Sequence, residues 1–231
     1  MTRLVLISDT HNQHDQLTLP PGDLLIHAGD FSGTGTFKQM SAFFSWFAAQ
    51  QHPHKVLIAG NHDITLHGEF YELLWWRFHR ERADDQAVRA LLDTYTSRGA
   101  FHYLQDQEGE IDGLRLYGSP WQPEVCSWAF NLPRGEPCAQ KWAEIPAGVD
   151  VLITHGPPWG TLDQLESGEH VGCEALQREL FTRIHPKLHV FGHIHEGYGL
   201  TKVEGVILAN ASSCDGAYAP VQPPIVVDLE G

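Results

Sequence analysis

The chain has 231 residues, a formal net charge of -14 at pH 7, 42% hydrophobic residues and 19% charged ones. That length can bury a full core and that composition is globular, which excludes a fibrous or disordered chain. The acidic balance leaves no basic stripe for a nucleic-acid backbone, and no apolar run approaches the roughly 18 residues of a membrane span, so neither a duplex nor a membrane is expected as a partner.

Cys126, Cys138, Cys173 and Cys214 show no paired spacing, which fits reduced thiols. The N-terminal run Leu4-Val5-Leu6-Ile7 is too short for a signal-peptide core. A cytoplasmic location is therefore expected. An acidic protein that handles an anion needs local positive charge, and bound metal is one source of it.

Residues 3–8 read as a strand followed by Asp9-Thr10-His11. In extended chain, residues i and i+2 point to one side, so Asp9 and His11 are expected to face one point. Residues 24–28 form a second buried strand that stops at Gly29-Asp30, with His27 inside it as a hydrogen-bonded core imidazole. Residues 36–51 are helical, with Phe37, Met40, Phe43, Phe44 and Phe47 on one apolar face. His52 and His54 flank Pro53 in a loop and are expected at the surface. The run Lys55-Val56-Leu57-Ile58-Ala59 is a strand ending in Gly60-Asn61-His62-Asp63, and it completes a β-α-β unit.

Residues 69–98 are helix-prone. Adjacent side chains on a helix diverge by about 100°, so of Trp75 and Trp76 only one is expected in the core. Residues 101–104 and 114–117 read as a hairpin joined through the acidic 106–113 segment, opening a second sheet. Residues 118–148 are a Pro/Gly/Trp-rich stretch holding Trp121, Trp128, Phe130 and Trp142; it is read either as a pocket wall or as a cap on the core. Residues 149–154 form a strand stopped by His155-Gly156-Pro157. Residues 172–184 are helical up to Pro186, and 187–191 are a strand ending in Gly192-His193-Ile194-His195. Strands at 201–203, 206–209 and 225–229 close the chain. No linker or repeat marks a boundary, so residues 1–231 are expected to form one α/β domain.

Five strands thus end in polar clusters: Asp9 and His11, Asp30, Asn61 with His62 and Asp63, His155, and His193 with His195. Ligand sites in α/β proteins form beyond the carboxyl ends of strands. Oxygen donors mixed with imidazole and no thiolate suit Mn, Fe, Zn or Co, and there are too many donors for one ion. Two divalent metal ions sharing a carboxylate account for them all.

As an ordered series these motifs resemble the calcineurin-like metallophosphoesterases. Gly118-Ser119-Pro120-Trp121-Gln122-Pro123, Asn131-Leu132-Pro133-Arg134-Gly135 and the run from Phe191 to Gly199 look like the metallophosphoesterase-domain-containing branch, whose members include cyclic-nucleotide phosphodiesterases. The resemblance implies two mixed β-sheets packed as a sandwich and flanked by helices. It implies that Asp9, His11 and His195 hold the first metal, that Asp30 bridges, and that Asn61, His155 and His193 complete the second. His62 would be the general acid while a hydroxide held between the metals attacks phosphorus. The implied function is a dinuclear-metal phosphodiesterase acting on small or nucleotide-like diesters. A phosphomonoesterase with the same site and a catalytically weak interaction scaffold are the competing expectations, and the oligomeric state, with a homodimer as one option, is left open.

The sequence departs from the family in one respect. Many members carry Gly-Asp-x-x-Asp-Arg-Gly, whose second Asp orients the catalytic histidine; here Gly29-Asp30-Phe31-Ser32-Gly33-Thr34 lacks both that Asp and the Arg. This counts against a protein phosphatase and leaves His62 without an evident orienting partner. Asp63, next in sequence to His62, is expected to be a turn residue or to support the ligands from behind.

Overall fold

The computed structural model describes residues 1–230. Its first strand, β1 (Thr2–Ile7), is buried on both faces: Leu4 and Leu6 enter one apolar layer, Val5 and Ile7 another. Side chains alternate across a strand, so an unbroken apolar run needs cover on both sides. The rest of the chain supplies that cover.

β1 is followed by β2 (Leu24–His27), α1 (Phe37–Ala48), β3 (His54–Leu57), α2 (Gly68–Leu74), α3 (Asp85–Ser97) and β4 (His102–Tyr103). Next come β5 (Gln107–Ile111), β6 (Leu114–Ser119), β7 (Gln122–Pro123), β8 (Asn131–Leu132) and α4 (Glu136–Ala143). The last elements are β9 (Val151–Thr154), α5 (Glu174–Glu179), β10 (Leu188–Phe191), β11 (Gly199–Val203), β12 (Val206–Asn210) and β13 (Ile225–Leu229).

The first sheet has the order β13-β1-β2-β3-β4 and is parallel except for β13. The second has the order β11-β12-β10-β9-β6-β5, parallel through its four central strands and antiparallel at both edges. Leu4, Ile26 and Ile58 of the first sheet and Leu116, Ile153 and Val190 of the second share the layer between them. Phe43, Phe44 and Phe47 of α1 cover the outer face of the first sheet, and Trp142 of α4 and Leu176 of α5 cover that of the second. The sandwich of two mixed sheets flanked by helices is therefore the observed fold. Thr36 and Gln39 cap α1 reciprocally, which fixes where the loop from β2 enters the helix.

Several local expectations are corrected. Residues 102–103 pair with β3 in the first sheet, and the hairpin of the second sheet is β5–β6, because the acidic segment is itself extended. The helix-prone 69–98 region breaks at Trp75–Arg77, a 3-10 turn, before α3 begins at a cap made by Asp84. Trp75 packs on the core while Trp76 is 63% exposed, as their divergence requires. Phe37, at the start of α1, is exposed rather than core-facing. His52 is buried and its Nε2 meets the Pro20 carbonyl at 2.9 Å, so it is not a surface residue. The helix expected over 172–184 is α5 followed by a wider π-type turn over Leu180–Ile184. No helix among the described residues is long and apolar enough to cross a membrane.

Candidate active site

β1, β2 and β3 of one sheet and β9 and β10 of the other deliver their carboxyl ends to one cavity of about 190 Å³. His11, Asp30, Asn61, His62, His193 and His195 line it. Asp9 and His155 lie fully buried behind them.

The chain turns sharply as it leaves these strands. Asp9, His11, Asp30 and His193 have φ of 50°, 41°, 57° and 68°, the left-handed region that side chains disfavour. Such strain costs on the order of 1–3 kcal/mol per residue and gathers at functional sites. Asp9 and His11 therefore converge because the backbone turns, not because of the strand pleat that their spacing suggests. Glycines permit the crowding: a Cβ on Gly60 would stand 2.2 Å from Asp30 Oδ1, and one on Gly192 would stand 2.0 Å from Asp9 Oδ2.

Three overlapping sets of donors result: Asp9 with His11 and His195, His11 with Asp30 and His62, and Asp30 with His155 and His193. Asp30 Oδ2 lies 3.9 Å from His11 Nε2 and 3.3 Å from His155 Nε2, and so stands between the outer sets. His11 Nε2 is 3.2 Å from His195 Nε2, and His195 Nε2 is 3.5 Å from Asp9 Oδ1. Asn61 Oδ1 is 3.0 Å from His155 Nε2. His193 and His195, which their spacing put on one side, belong to opposite ends of this row.

The neighbours turn the donor atoms of these groups toward one another. Nδ1–H of His155 donates to the Ala28 carbonyl at 2.9 Å, and Nδ1–H of His195 donates to the Asp215 carbonyl at 2.9 Å. Each bond orients its ring so that Nε2 faces the cluster. Asp9 Oδ2 accepts from the His193 amide and the Ser212 hydroxyl, both at 3.0 Å, while Oδ1 is buried with no hydrogen-bond partner. A buried carboxylate oxygen without a donor calls for an explanation, and a cation provides it. The residues present fit bound metal.

Charge is balanced by crowding opposite groups. Burial raises the Asp9 carboxyl, but His195, His155 and His11 hold it well below the usual range. Burial likewise opposes ionisation of Asp30, and His155 and His62 overcome it. Burial lowers His155 and His195, yet Asp30 beside the first and Asp9 beside the second push each up to about 9. His11 and His193 go the other way, brought by burial to about 4 and about 3.

Asp63 serves from behind, as expected. Its carboxylate accepts from the amides of Asp30, Ser32 and Gly60 and from the Ser32 hydroxyl, tying the loops after β2 and β3 together. Burial and the nearby Asp30 carboxylate push it up to about 7.

Three contributors escaped the sequence reading. Gln122 Nε2 donates to Asn61 Oδ1 at 2.9 Å, and its only sequence signal is a place between prolines in the 118–148 stretch. Ser212 follows the polar end of β12, a sixth strand exit that could have been counted. Tyr218 sets its ring edge-on against His11 and His195, and nothing in sequence announces it. The 118–148 stretch divides in two. Trp128 stacks on His62 at 4.1 Å and Pro123 and Val125 line a cavity beside the cluster, whereas Trp142 is wholly buried under the second sheet.

Two mixed sheets meeting at a carboxylate–imidazole cluster of this kind define a metal-dependent phosphoester hydrolase. The chain belongs to the calcineurin-like phosphoesterase family, whose profile matches residues 2–197. Over 99% of its length it is 44% identical to human metallophosphoesterase domain-containing protein 1, of which it covers 71%. It is 39% identical to the Caenorhabditis elegans UPF0046 protein T07D4.2, with 98% of this chain and 60% of the relative aligned. Among solved structures it resembles phosphopantetheinyl hydrolase from Mycobacterium tuberculosis, with a TM-score of 0.61, 14% identity, and 97% and 95% of the two chains covered. That likeness concerns the fold alone.

Proposed function

We propose that the chain is a cytoplasmic, single-domain phosphodiesterase using two divalent cations, Mn, Fe, Zn or Co, on small or nucleotide-like diesters. The observation that carries this is the shared position of Asp30 between two sets of donors. Asp9, His11 and His195 would hold one cation and Asn61, His155 and His193 the other, with Asp30 common to both. When bound, the pair would supply Lewis acidity toward phosphoryl oxygens and a nucleophilic water of lowered pKa.

The chain's own groups do the rest. Gln122 aims the Asn61 oxygen into the site. His62 would give a proton from Nε2 to the leaving oxygen, since its Nδ1–H is held by the Gly33 carbonyl and its face by Trp128. Among the described residues that line the cavity, none is lysine or arginine. Beyond the protonated His62, a monoester dianion would find no lysine or arginine for its second charge, whereas a diester carries a single charge. This supports the diester over the monoester.

The test is hydrolysis of bis-p-nitrophenyl phosphate beside p-nitrophenyl phosphate by chelator-stripped protein with each metal restored. Faster diester cleavage is the expected result. Preference for the monoester would replace the reading with a phosphatase, and metal-loaded protein that cleaves neither would replace it with a scaffold.

A further inference from the structure

A second cavity of about 200 Å³ opens beside the donor cluster and shares His193, Ile194 and Leu165 with it. Pro123, Val125, Pro157 and Val171 give the rest of its wall an apolar character. A cavity of about 150 Å³ lined by aliphatic groups takes up benzene, so this one has room for a single ring or a short aliphatic chain.

Among the described residues that line it, the one arginine or lysine, Arg134, is already engaged. Nη1 donates to the Gly172 carbonyl at 2.7 Å and to the Glu174 carboxylate at 2.9 Å, and Nη2 donates to the Val171 carbonyl at 2.6 Å. The guanidinium thus holds residues 171–172 in place as a wall and has its charge balanced by Glu174. Glu124, also on the rim, disfavours a second anion.

We propose that this cavity is the subsite for the non-leaving ester arm, and that it selects an uncharged apolar or aromatic group about one ring in size. The inference rests on the phosphodiesterase reading, because a monoester has no second arm to place there. A diester phosphorus beside His193 would have one substituent at the cavity mouth, while the other faces His62 across the cluster.

The experiment compares p-nitrophenyl methyl phosphate with p-nitrophenyl phenyl phosphate on metal-restored protein, each corrected for its alkaline hydrolysis rate. Burying a ring favours the phenyl ester by about 10-fold or more in kcat/KM. Val171→Phe, whose ring occupies the cavity, should bring that ratio down to about 1, while Val171→Ala, checked for native circular dichroism, should keep it above 1. A second readout needs no catalysis: the methyl resonances of Val171, Leu165 and Ile194 in chelator-stripped protein should shift saturably with phenol, and Val171→Phe should abolish the effect. Equal rates on the two esters, or a ratio indifferent to Val171→Phe, would overturn the subsite assignment alone. Saturable phenol binding without cleavage of either ester would overturn the phosphodiesterase reading and the ester-arm role with it.

Discussion

The Nδ1–H of His62 donates to the carbonyl oxygen of Gly33 at 2.8 Å. A backbone dipole thus stands where many family members place the second Asp of Gly-Asp-x-x-Asp-Arg-Gly. The loop that presents this carbonyl is held at the two residues that follow it. Thr34's carbonyl accepts from His79 Nε2 at 2.9 Å, and Gly35's from the Thr65 hydroxyl at 2.7 Å. His79 in turn takes a hydrogen bond at Nδ1 from Tyr71, 2.8 Å away.

If His62 supplies the leaving-group proton, His62→Ala should slow alkyl diesters by about 10²–10⁴-fold and p-nitrophenyl esters far less, since a stabilised phenolate needs little protonation. Steady-state rates across a leaving-group series decide it. Uniform slowing would take His62 out of the acid role.

His79 acts one bond further back. His79→Leu should lower kcat by about 10-fold with little change in KM, the scale typical of groups that orient a site from behind. Its losses should follow the same leaving-group trend as His62→Ala, and His79→Gln, which keeps a donor for Thr34, should recover part of the rate. A loss that falls on KM alone would place His79 elsewhere in the mechanism.

Gln122→Leu removes the donor that aims Asn61 and should weaken one of the two cations about 10–100-fold. Asn61→Ala should weaken the same cation further. Metal content after dialysis, measured by elemental analysis, should fall from two equivalents toward one in both. Unchanged stoichiometry would remove Asn61 from the ligand set.

Metal should also stabilise the fold. Binding at 100-fold over Kd adds about 2.7 kcal/mol, so chelation should lower Tm and restored cation should raise it in a concentration-dependent way. Asp9→Asn with Asp30→Asn should abolish that dependence. The effect is expected because Asp9 and Asp30 are both buried carboxylates whose charge bound cations would offset.

Acid should unfold the protein partly through two buried histidines outside the donor cluster. Burial brings His27 and His189 each to about 3. Between that value and the ordinary 6.5 the unfolded chain binds protons that the folded chain refuses. Their contribution is thus complete above pH 6.5 and is lost as pH falls toward 3, by up to about 1.4 kcal/mol per pH unit for each group. Urea unfolding at pH 7, 6 and 5 should show a shallower decline for His189→Gln than for the parent. Identical slopes would mean that His189 is charged in the folded protein.

Much of this architecture is written locally. The runs before Asp9, Asp30, Asn61, His155 and His193 are aliphatic on both alternating faces and stop at glycine or a polar residue, and all five prove to be strands ending at the cavity. Elsewhere local signals compete. The 106–113 segment looked like a turn because it is acidic, yet Gln107–Ile111 is extended, because pairing with β6 overrides its weak β preference. Trp128 and Trp142 share one loop-like composition, and only packing separates a ring stacked on His62 from one buried under a sheet.

The sequence by itself determined which strands are buried, where each one stops, and which oxygen and nitrogen donors stand at those stops, because periodicity and turn chemistry are properties of a few adjacent residues. Only the tertiary structure decided that Asp9 meets His195, that Asp30 stands between His11 and His155, and that a Gly33 carbonyl and a Gln122 amide hold His62 and Asn61. Those relations join residues from opposite sheets or distant loops. They are set by how two twisted sheets pack and how strained backbone turns leave their edges, which no short stretch of chain encodes.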